Sequence, residues 1–404
     1  MISYTAALDL IRSAAGRGKT TAAPLDAALG GVAGTTVSSP HDVPGFANAA
    51  LDGYALSSAD ASSPGLIELA VAGRVAAGSN PPVATPARAA WEIMTGAPMP
   101  AGCDAVVPYE SIRPDGTGRS IEFMGPVEPG ANRRLSGEDF RAGLPLVEPG
   151  QSISAATLMG LAAAGCDTVP LRQPPRCTVI VTGDELGSGD AVSAIRDANG
   201  PFLVASLRAA GLPLVRFERT GDDPAVLARL IERAAADSDA IITTGGVSAG
   251  QRDFMPAALA AAGATLLFHK VAIRPGKPLA CARLPQGPLV FGLPGNPVAV
   301  AVGWRFFVVP WVRTWLGQAA EQFPLARVDA AVRRRPGLTF FAKARARVDE
   351  AAVLRVAALP GQESFKIRPL MDANCWAIVP ADAASVAAGD LVSIAPLGPG
   401  GLVL

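Results

Sequence analysis

The sequence predicts a multidomain α/β plus β protein whose central part is a doubly wound α/β domain. Three apolar runs carry that prediction, each ending in a polar, glycine-rich loop followed by a helical pattern. Cys177–Val181 leads into Thr182-Gly183-Asp184-Glu185-Leu186. Ala240–Ile242 leads into Thr243-Thr244-Gly245-Gly246-Val247-Ser248-Ala249-Gly250, and Pro288–Phe291 into Gly292-Leu293-Pro294-Gly295-Asn296-Pro297. Such runs read as buried parallel strands, and in an open α/β sheet the loops at their carboxyl ends gather where ligands bind. Glycine lets the backbone approach a ligand closely, and helix starts supply N–H donors for anions. Three such loops on neighbouring strands predict a phosphate or oxyanion site.

Taken in chain order, residues 4–16 carry an amphipathic helical pattern (Ala7, Leu8, Leu10, Ile11, Ala14) that Gly16 ends. Residues 21–44 are rich in Ala, Gly and Pro and show little periodicity. Between 45 and 138, strand-like runs alternate with turns: Leu66–Val71, Ala90–Met94, Ala105–Val107 and Ser120–Phe123. They predict a small β domain. Residues 152–164 read as a helix closed by Gly165, with a hinge at Gln173-Pro174-Pro175. From Cys177 to about 317, strands alternate with helices. One helix starts at Asn199-Gly200-Pro201, faces inward through Leu203, Val204 and Leu207, and stops at Gly211. Another starts at Asp223-Pro224, with Leu227, Leu230, Ile231 and Ala234 as its stripe. This alternation predicts a parallel sheet covered on both faces. After Phe323 short strands return (Arg327–Val332, Ala342–Val348, Val353–Ala357, Trp376–Val379, Leu391–Ile394), predicting a compact C-terminal β domain.

Composition narrows the function classes. A chain of 404 residues that is 50% hydrophobic fills more than one core and is not globally disordered. Gly and Pro, 43 and 36 residues, make up about a fifth of it, against roughly an eighth in average usage, so loops are abundant. Lys+Arg and Asp+Glu both number 35 and no long basic run occurs, which argues against a nucleic-acid partner. No apolar stretch reaches the length of a membrane span and no signal-peptide layout opens the chain, so a cytoplasmic location is expected. The cysteines (103, 166, 177, 281, 375) form no CxxC pair and the two histidines lie far apart, which disfavours zinc and a disulfide scaffold.

Several residues carry possible chemistry, each with a plainer reading. Asp52-Gly53-Tyr54 is first of all a turn signal. Glu110, Glu138 and Asp139 sit near arginines in loops, as solvated salt-bridge clusters do. Asp184-Glu185 can cap a helix, or can offer hard oxygens to Mg2+, which takes one or two carboxylates plus substrate phosphates. Ser248 and Asp253 follow the glycine pair. Lys270, Arg274 and Lys277 crowd around a Pro-Gly turn, as a surface cluster or as an anion site.

Together the motifs resemble the molybdopterin molybdenumtransferase family, the bacterial MoeA proteins and the gephyrin E domain. The resemblance spans essentially the whole chain. It rests on Leu51-Asp52-Gly53-Tyr54-Ala55, Met94-Thr95-Gly96-Ala97-Pro98, Asp104-Ala105-Val106-Val107, Gly137-Glu138-Asp139 and Thr182-Gly183-Asp184-Glu185. Gly245-Gly246-Val247-Ser248, Pro275-Gly276-Lys277-Pro278 and Gly292-Leu293-Pro294-Gly295-Asn296-Pro297 continue it, and Gly361-Gln362, Ser364 and Ala373-Asn374-Cys375 extend it to the last domain. Each motif is weak alone; their shared order is specific.

The resemblance implies four parts: an α/β molybdopterin-binding domain (1–20 and 170–320), a linking and dimerisation region (21–44 and 139–169), a β domain (45–138) and a β-barrel-like C-terminal domain (321–404). It also implies an elongated homodimer whose site joins the β domain of one subunit to the α/β domain of the other. The implied reaction takes adenylylated molybdopterin (molybdopterin-AMP) and molybdate, cleaves the phosphoanhydride with Mg2+ and releases AMP. Carried over by motif, Asp52, Asp139, Glu185, Asp222, Ser248 and Asp253 are the implied catalytic residues, with Glu185 and Asp253 at the metal. Gly245, Gly246, Lys270, Arg274, Lys277, Pro278, Pro294, Asn296, Pro297, Lys343 and Ser364 are the implied substrate and oxyanion contacts. Other cofactor-biosynthesis proteins are implied as partners. The chain departs from the family pattern at Ala47, Ala49, Arg274, Ala299, Lys343 and Pro369. Two other classes fit parts of the pattern: a non-catalytic scaffold of the same fold, and the adenylyltransferase that shares the α/β domain alone.

Overall fold

The computed structural model describes residues 1–186, 195–246, 254–333, 336–383 and 385–398. The chain divides into two compact units: Met1–Thr20 with Arg172–Leu404, and Thr21–Leu171.

In the first unit a six-stranded sheet runs in the order Leu214–Thr220, Cys177–Thr182, Ala240–Thr244, Leu289–Leu293, Ala280–Arg283, Thr265–His269. The first four strands are parallel. Ala280–Arg283 pairs antiparallel with both Leu289–Leu293 and Thr265–His269, so it alone runs against the others and the expected parallel sheet is mixed. The reason is the connection: Arg283 and Leu289 are joined by a tight turn in which Leu284 N–H donates to Pro288 O at 3.0 Å. A turn that short reverses the chain, whereas a parallel return needs a crossover of a dozen residues or more.

Strand alternation divides the apolar residues between two faces. Cys177, Val179, Val181, Ile242, Phe291 and Leu293 share one core with Leu203 and Leu207 of the helix Asn199–Ala209 and with the aromatic segment Trp304–Trp311. Ile180, Ile241 and Val290 face the other way, onto the helices Pro224–Ala235 and Met255–Ala261. Helices therefore cover both faces, and burial of each large side chain contributes about 1.5–3 kcal/mol. The helix Tyr4–Ala14 joins the first core through Ala7 and Ile11, with Leu8 also buried, and Ser3 Oγ accepts from Ala6 N–H at 3.1 Å to cap it. Leu10, expected inside, is exposed, and the helix stops at Ala14 rather than at Gly16. Gly16 is glycine because a Cβ there would lie 2.9 Å from the Trp315 ring.

The C-terminal strands close a five-stranded barrel. Thr339–Val348 pairs with Leu354–Ala358 and Cys375–Val379, and Leu391–Pro396 joins Cys375–Val379 to Leu325–Val328. Leu325–Val328 then meets Leu354–Ala358 in parallel, completing the ring. The expected single strand Arg327–Val332 is two pieces, Leu325–Val328 and Val332–Arg333. Small side chains (Ala342, Ala344, Ala346, Ala377) fill the barrel interior, while Phe341 and Trp376 point out into the α/β core.

The Thr21–Leu171 unit holds a second six-stranded sheet, ordered Ala105–Pro108, Gly53–Leu56, Ala89–Ile93, Gly65–Val75, Ser120–Gly125, Arg113–Pro114. A separate small core (Ala28, Ala33, Val147, Ile153, Leu161, Val169) lies around the helix Ala155–Ala163. Residues 21–44, whose sequence shows little periodicity, contribute to two short ladders, Thr20–Pro24 with Thr168–Arg172 and Val37–Ser38 with Pro145–Val147. Gly53 begins a strand rather than merely forming a turn. A Cβ on it would sit 2.1 Å from Val107 O, so only glycine allows that strand pair to close.

One helix start is tied to a single side chain. Asp223 accepts from Ala225 N–H at 2.8 Å and Val226 N–H at 3.2 Å, with Pro224 at the first helical position. Asp223→Ala is expected to cost about 0.5–2 kcal/mol in urea unfolding, and Asp223→Asn close to nothing, because Asn caps equally well. Equal losses in both variants would show that the cap is not what Asp223 contributes.

Candidate functional site

The register of the three central strands fixes where their loops begin. Val181, Thr244 and Leu293 are paired across the sheet, so the three strands end level with one another. The glycine-rich loops therefore start side by side, as the sequence predicted. Close backbone approach is built in at this edge. Gly245 has φ +93°, and a Cβ there would lie 2.3 Å from Thr182 O; Gly246 has φ +64°, with the Phe254 ring occupying its side-chain space. Gly245 N–H donates to Leu293 O at 3.2 Å, and a Cβ on Gly295 would lie 3.8 Å from the Gly245 Cα.

A residue that sequence reasoning used only as a helix start connects these loops. Asn199 Nδ2 donates to Thr244 Oγ1 at 3.0 Å and to Gly295 O at 2.7 Å. Thr244 Oγ1 in turn donates to Pro294 O at 3.3 Å. Asn199 Oδ1 and Thr182 Oγ1 are both buried with no hydrogen-bond partner among the described residues. The available signal was an Asn placed where a helix follows the first strand–loop unit, a position at which any capping residue would look the same.

Glu185 and Asp184 lie in the loop after Cys177–Thr182. The Glu185 carboxylate folds back to within 2.8–2.9 Å of where a Gly183 Cβ would be, so that glycine makes room for it. Asp184 Oδ1 accepts from Asp222 N–H at 3.0 Å, which brings Asp222, after the neighbouring strand, to the same sheet edge. Asp184 thus braces a loop, and Asp184–Glu185 form a turn; a helix that this pair could cap would lie outside the described residues. Ser248 and Asp253 lie outside the described residues.

The cations lie in the connection between Thr265–His269 and Ala280–Arg283. Lys270 adopts φ +69°, and its backbone is held by Ile2 N–H donating to its carbonyl and by its own N–H donating to Leu279 O. Val271 N–H donates to Lys277 O at 2.9 Å, folding the Arg274–Pro278 turn back on itself. Ile273–Arg274 pairs with Thr339–Phe340 of the barrel, and the Arg274 guanidinium lies 5.6 Å from the centre of the Phe340 ring. A Cβ on Gly276 would be 3.8 Å from Ala299 O, so this turn lies beside the helix that Pro297 opens. Among the described residues Lys270, Arg274 and Lys277 have no carboxylate partner, and Arg274 and Lys277 are exposed. Cations without a carboxylate partner among the described residues keep a positive field at this turn.

The barrel contributes a third part. Asn296 Nδ2 donates to Ser364 Oγ at 3.0 Å, and Val298 N–H donates to Ser364 O at 3.1 Å. Lys343 does not join them as an anion contact, which corrects the reading from the sequence. Its side chain is 1% exposed, and its ammonium donates to the carbonyls of Gly361 (2.7 Å), Glu363 (3.1 Å) and Lys366 (3.0 Å). An ammonium has three protons, and all three are engaged.

Asp52 and Asp139 belong to the other unit. Asp52 Oδ1 accepts from Thr95 Oγ1 and Thr95 N–H, both at 2.6 Å. The Thr95 hydroxyl, followed by its N–H, holds the Asp52 carboxyl below its ordinary range. Asp139 is exposed, its N–H donating to Val43 O at 3.0 Å, and the loop before it is tied back by Gly137 N–H to Pro44 O at 2.9 Å.

Glycine-rich loops thus end level on parallel strands beside Lys270, Arg274 and Lys277, in an α/β domain whose unit also holds a β barrel. Comparison with known proteins gives the family. The model for the MoeA N-terminal region (domain I and II) matches residues 2–165, that for the "Probable molybdopterin binding domain" matches 178–314, and that for the MoeA C-terminal region (domain IV) matches 326–397. The chain is 36% identical to the molybdopterin molybdenumtransferase of Synechococcus elongatus over 372 residues, 89% of this chain and 90% of that protein. It is 35% identical to molybdopterin molybdenumtransferase 2 of Mycobacterium tuberculosis over 384 residues, 92% and 93% of the two chains. The crystal structure of the molybdopterin biosynthesis MoeA protein of Pyrococcus horikoshii superposes with a TM-score of 0.84 at 26% identity, covering 99% of this chain and 100% of that one. The chain belongs to the molybdopterin molybdenumtransferase (MoeA) family.

The Thr95 bonds give a direct test at Asp52. Thr95→Val removes the hydroxyl and leaves the N–H, so the Asp52 carboxyl should titrate at higher pH than in the wild type, toward the usual aspartate value. Carbonyl-detected NMR titration reads this directly. Because the native value is depressed, the stability linked to Asp52 is present above the unfolded-state value and is lost as pH falls through the native one. An unchanged titration would show that Thr95 does not set the charge of Asp52.

Proposed function

We propose that this chain inserts molybdate into adenylylated molybdopterin, with cleavage of the phosphoanhydride and release of AMP. The observation that carries the proposal is the pairing of three level glycine-rich loops with three cations that have no carboxylate partner among the described residues, at one sheet edge. A pyrophosphate and an oxyanion both need backbone N–H groups, room for close approach and positive charge. Family membership supports the same reading, since the relatives matched over most of their length are named molybdopterin molybdenumtransferase.

In this reading Lys270, Arg274 and Lys277, with Pro278 and the Pro294–Pro297 turn, hold the anions. Gly245 and Gly246 let the backbone reach the phosphates. Asp52, Asp139, Asp222, Ser248 and Asp253 supply the acid–base and orienting groups for water attack on the anhydride.

The metal proposed is Mg2+. Glu185 fits it: the carboxylate has no cation partner among the described residues and sits over a glycine at the same strand end. No group of three His, Cys, Asp or Glu able to hold a metal by themselves occurs among the described residues. Mg2+ takes one or two carboxylates and completes its shell with phosphates and water. Glu185 and Asp253 would hold Mg2+, and the ion would neutralise charge on the phosphates.

The proposed functional acids divide between the two units, and we place the complete site in a homodimer acting in the cytoplasm. Among the described residues no helix is long and apolar enough to cross a membrane.

Addition of molybdate to protein loaded with adenylylated molybdopterin and Mg2+ should release AMP. EDTA should stop the release and excess Mg2+ should restore it; full turnover in chelator would make Glu185 structural. A scaffold would release no AMP, and an adenylyltransferase would consume ATP instead. Lys277→Ala removes a charge-assisted contact of roughly 1.5–3 kcal/mol. It should therefore raise the KM for the anionic substrate about 10- to 100-fold, with a far smaller change in kcat. An unchanged KM would remove Lys277 from the anion site.

A further inference from the structure

We infer that Lys343 is a positioning residue, whose ammonium shapes the Gly361–Lys366 loop so that Ser364 holds Asn296 in the strand-end turn. The inference concerns the same site as the proposed molybdate reaction, and its kinetic arm rests on that reading.

Three observations carry it. First, the ammonium is a point donor on which three carbonyls of one loop converge, Gly361, Glu363 and Lys366, at 2.7–3.1 Å. A six-residue stretch with three carbonyls turned toward one point cannot be extended; the cation sets its curvature. Second, the loop is registered on the same residue by the backbone. Lys343 N–H donates to Gln362 Oε1 at 3.0 Å, and Gln362 Nε2 donates to Lys343 O at 2.8 Å and Leu359 O at 2.7 Å. Third, the only side chain of this loop bonded to the strand-end turn among the described residues is Ser364, which meets Asn296 through its hydroxyl and Val298 through its carbonyl.

The lysine sits where its strand can do this. On Thr339–Val348 the even-numbered Phe340, Ala342 and Ala344 fill the barrel, and odd-numbered Phe341 points into the α/β core. Lys343 shares the parity of Phe341, so its stem runs toward the α/β domain. The first residues of the same strand, Thr339–Phe340, pair with Ile273–Arg274 of the cation turn. One barrel strand thus supports two parts of the site. Burial pushes the Lys343 ammonium down, with Glu363 opposing, and three carbonyl acceptors compensate the charge it keeps.

The test uses the full-length protein with Lys343→Met, Ser364→Ala and the double variant. Lys343→Gln, which keeps a donor without the charge, replaces Met if that variant does not fold. Hydrogen exchange followed by mass spectrometry requires no activity. Lys343→Met should speed exchange in peptides covering 361–367 and 296–300, and leave the barrel strands Leu325–Val328 and Leu391–Pro396 as in the wild type. Equal exchange in the first two segments, or a uniform rise across the barrel, would overturn the inference. In the AMP-release assay, Lys343→Met and Ser364→Ala should each raise KM by about 10- to 100-fold, the range for a misplaced contact. The double variant should be no worse than the worse single one, because both act through the same contact. If the two factors multiply, Lys343 touches the anion directly. If only the melting temperature falls while KM holds, Lys343 is structural; either result overturns the positioning role. A wild-type protein that releases no AMP would sink the molybdate reading alone, with the exchange result still deciding the role of Lys343.

Discussion

The site depends on backbone hydrogen bonding between three buried strands that end at the same level. Pairing of Cys177, Ala240 and Leu289 at one end and of Val181, Thr244 and Leu293 at the other leaves no freedom in where the loops begin. A slip of one residue would turn Thr244 to the opposite face and move Ile241 into the place of Ile242, at the cost of both cores. The hydrophobic sorting that stabilises the domain therefore also sets the positions of its functional loops. Asn199 adds a side-chain check on the same alignment, since its amide reaches Thr244 and Gly295 only when two of the strands end in step.

Around this edge, charge and space are distributed unequally. The acidic side chains fit into volume that glycines leave open, at Gly183 for Glu185 and at Gly221 for Asp184. The cations instead lie on a turn whose backbone is clamped from both sides, by Ile2 and by Thr339, while their side chains have no carboxylate partner among the described residues. Rigid backbone with free charged ends is the arrangement that electrostatic preorganisation requires, because little reorganisation is then needed when an anion arrives.

Much of this was legible from residue order. The three run–loop–helix units are strong signals because buried parallel strands are apolar on both faces and their loops need glycine for stated steric reasons. The reversal of Ala280–Arg283 was not legible, since a four-residue run carries no mark of its direction and only the short Leu284–Pro288 turn hints at it. Lys343 was misread for a related reason. A lysine in a family motif looks like an anion contact, and the three carbonyls that saturate it come from a loop some twenty residues away. Asn199 was visible only as a helix starter, because its second role exists only once the Ala240–Thr244 and Leu289–Leu293 strands stand side by side.

The helix Tyr4–Ala14 carries a consequence for synthesis on the ribosome. Its Tyr4 ring packs edge-on against Phe307 at 5.5 Å and Phe341 at 5.2 Å, and Ile2 bridges to Val271. Most of the chain separates these partners, and at elongation rates of about 5–20 residues per second tens of seconds pass before the last of them emerges. Throughout that interval Ala7, Leu8 and Ile11 have no native surface to cover them, while the Thr21–Leu171 unit between them has all of its own strands to hand. A segment made so long before its partners is thus among the last to settle, and in the meantime its apolar stripe is open to any chaperone that waits at the exit tunnel.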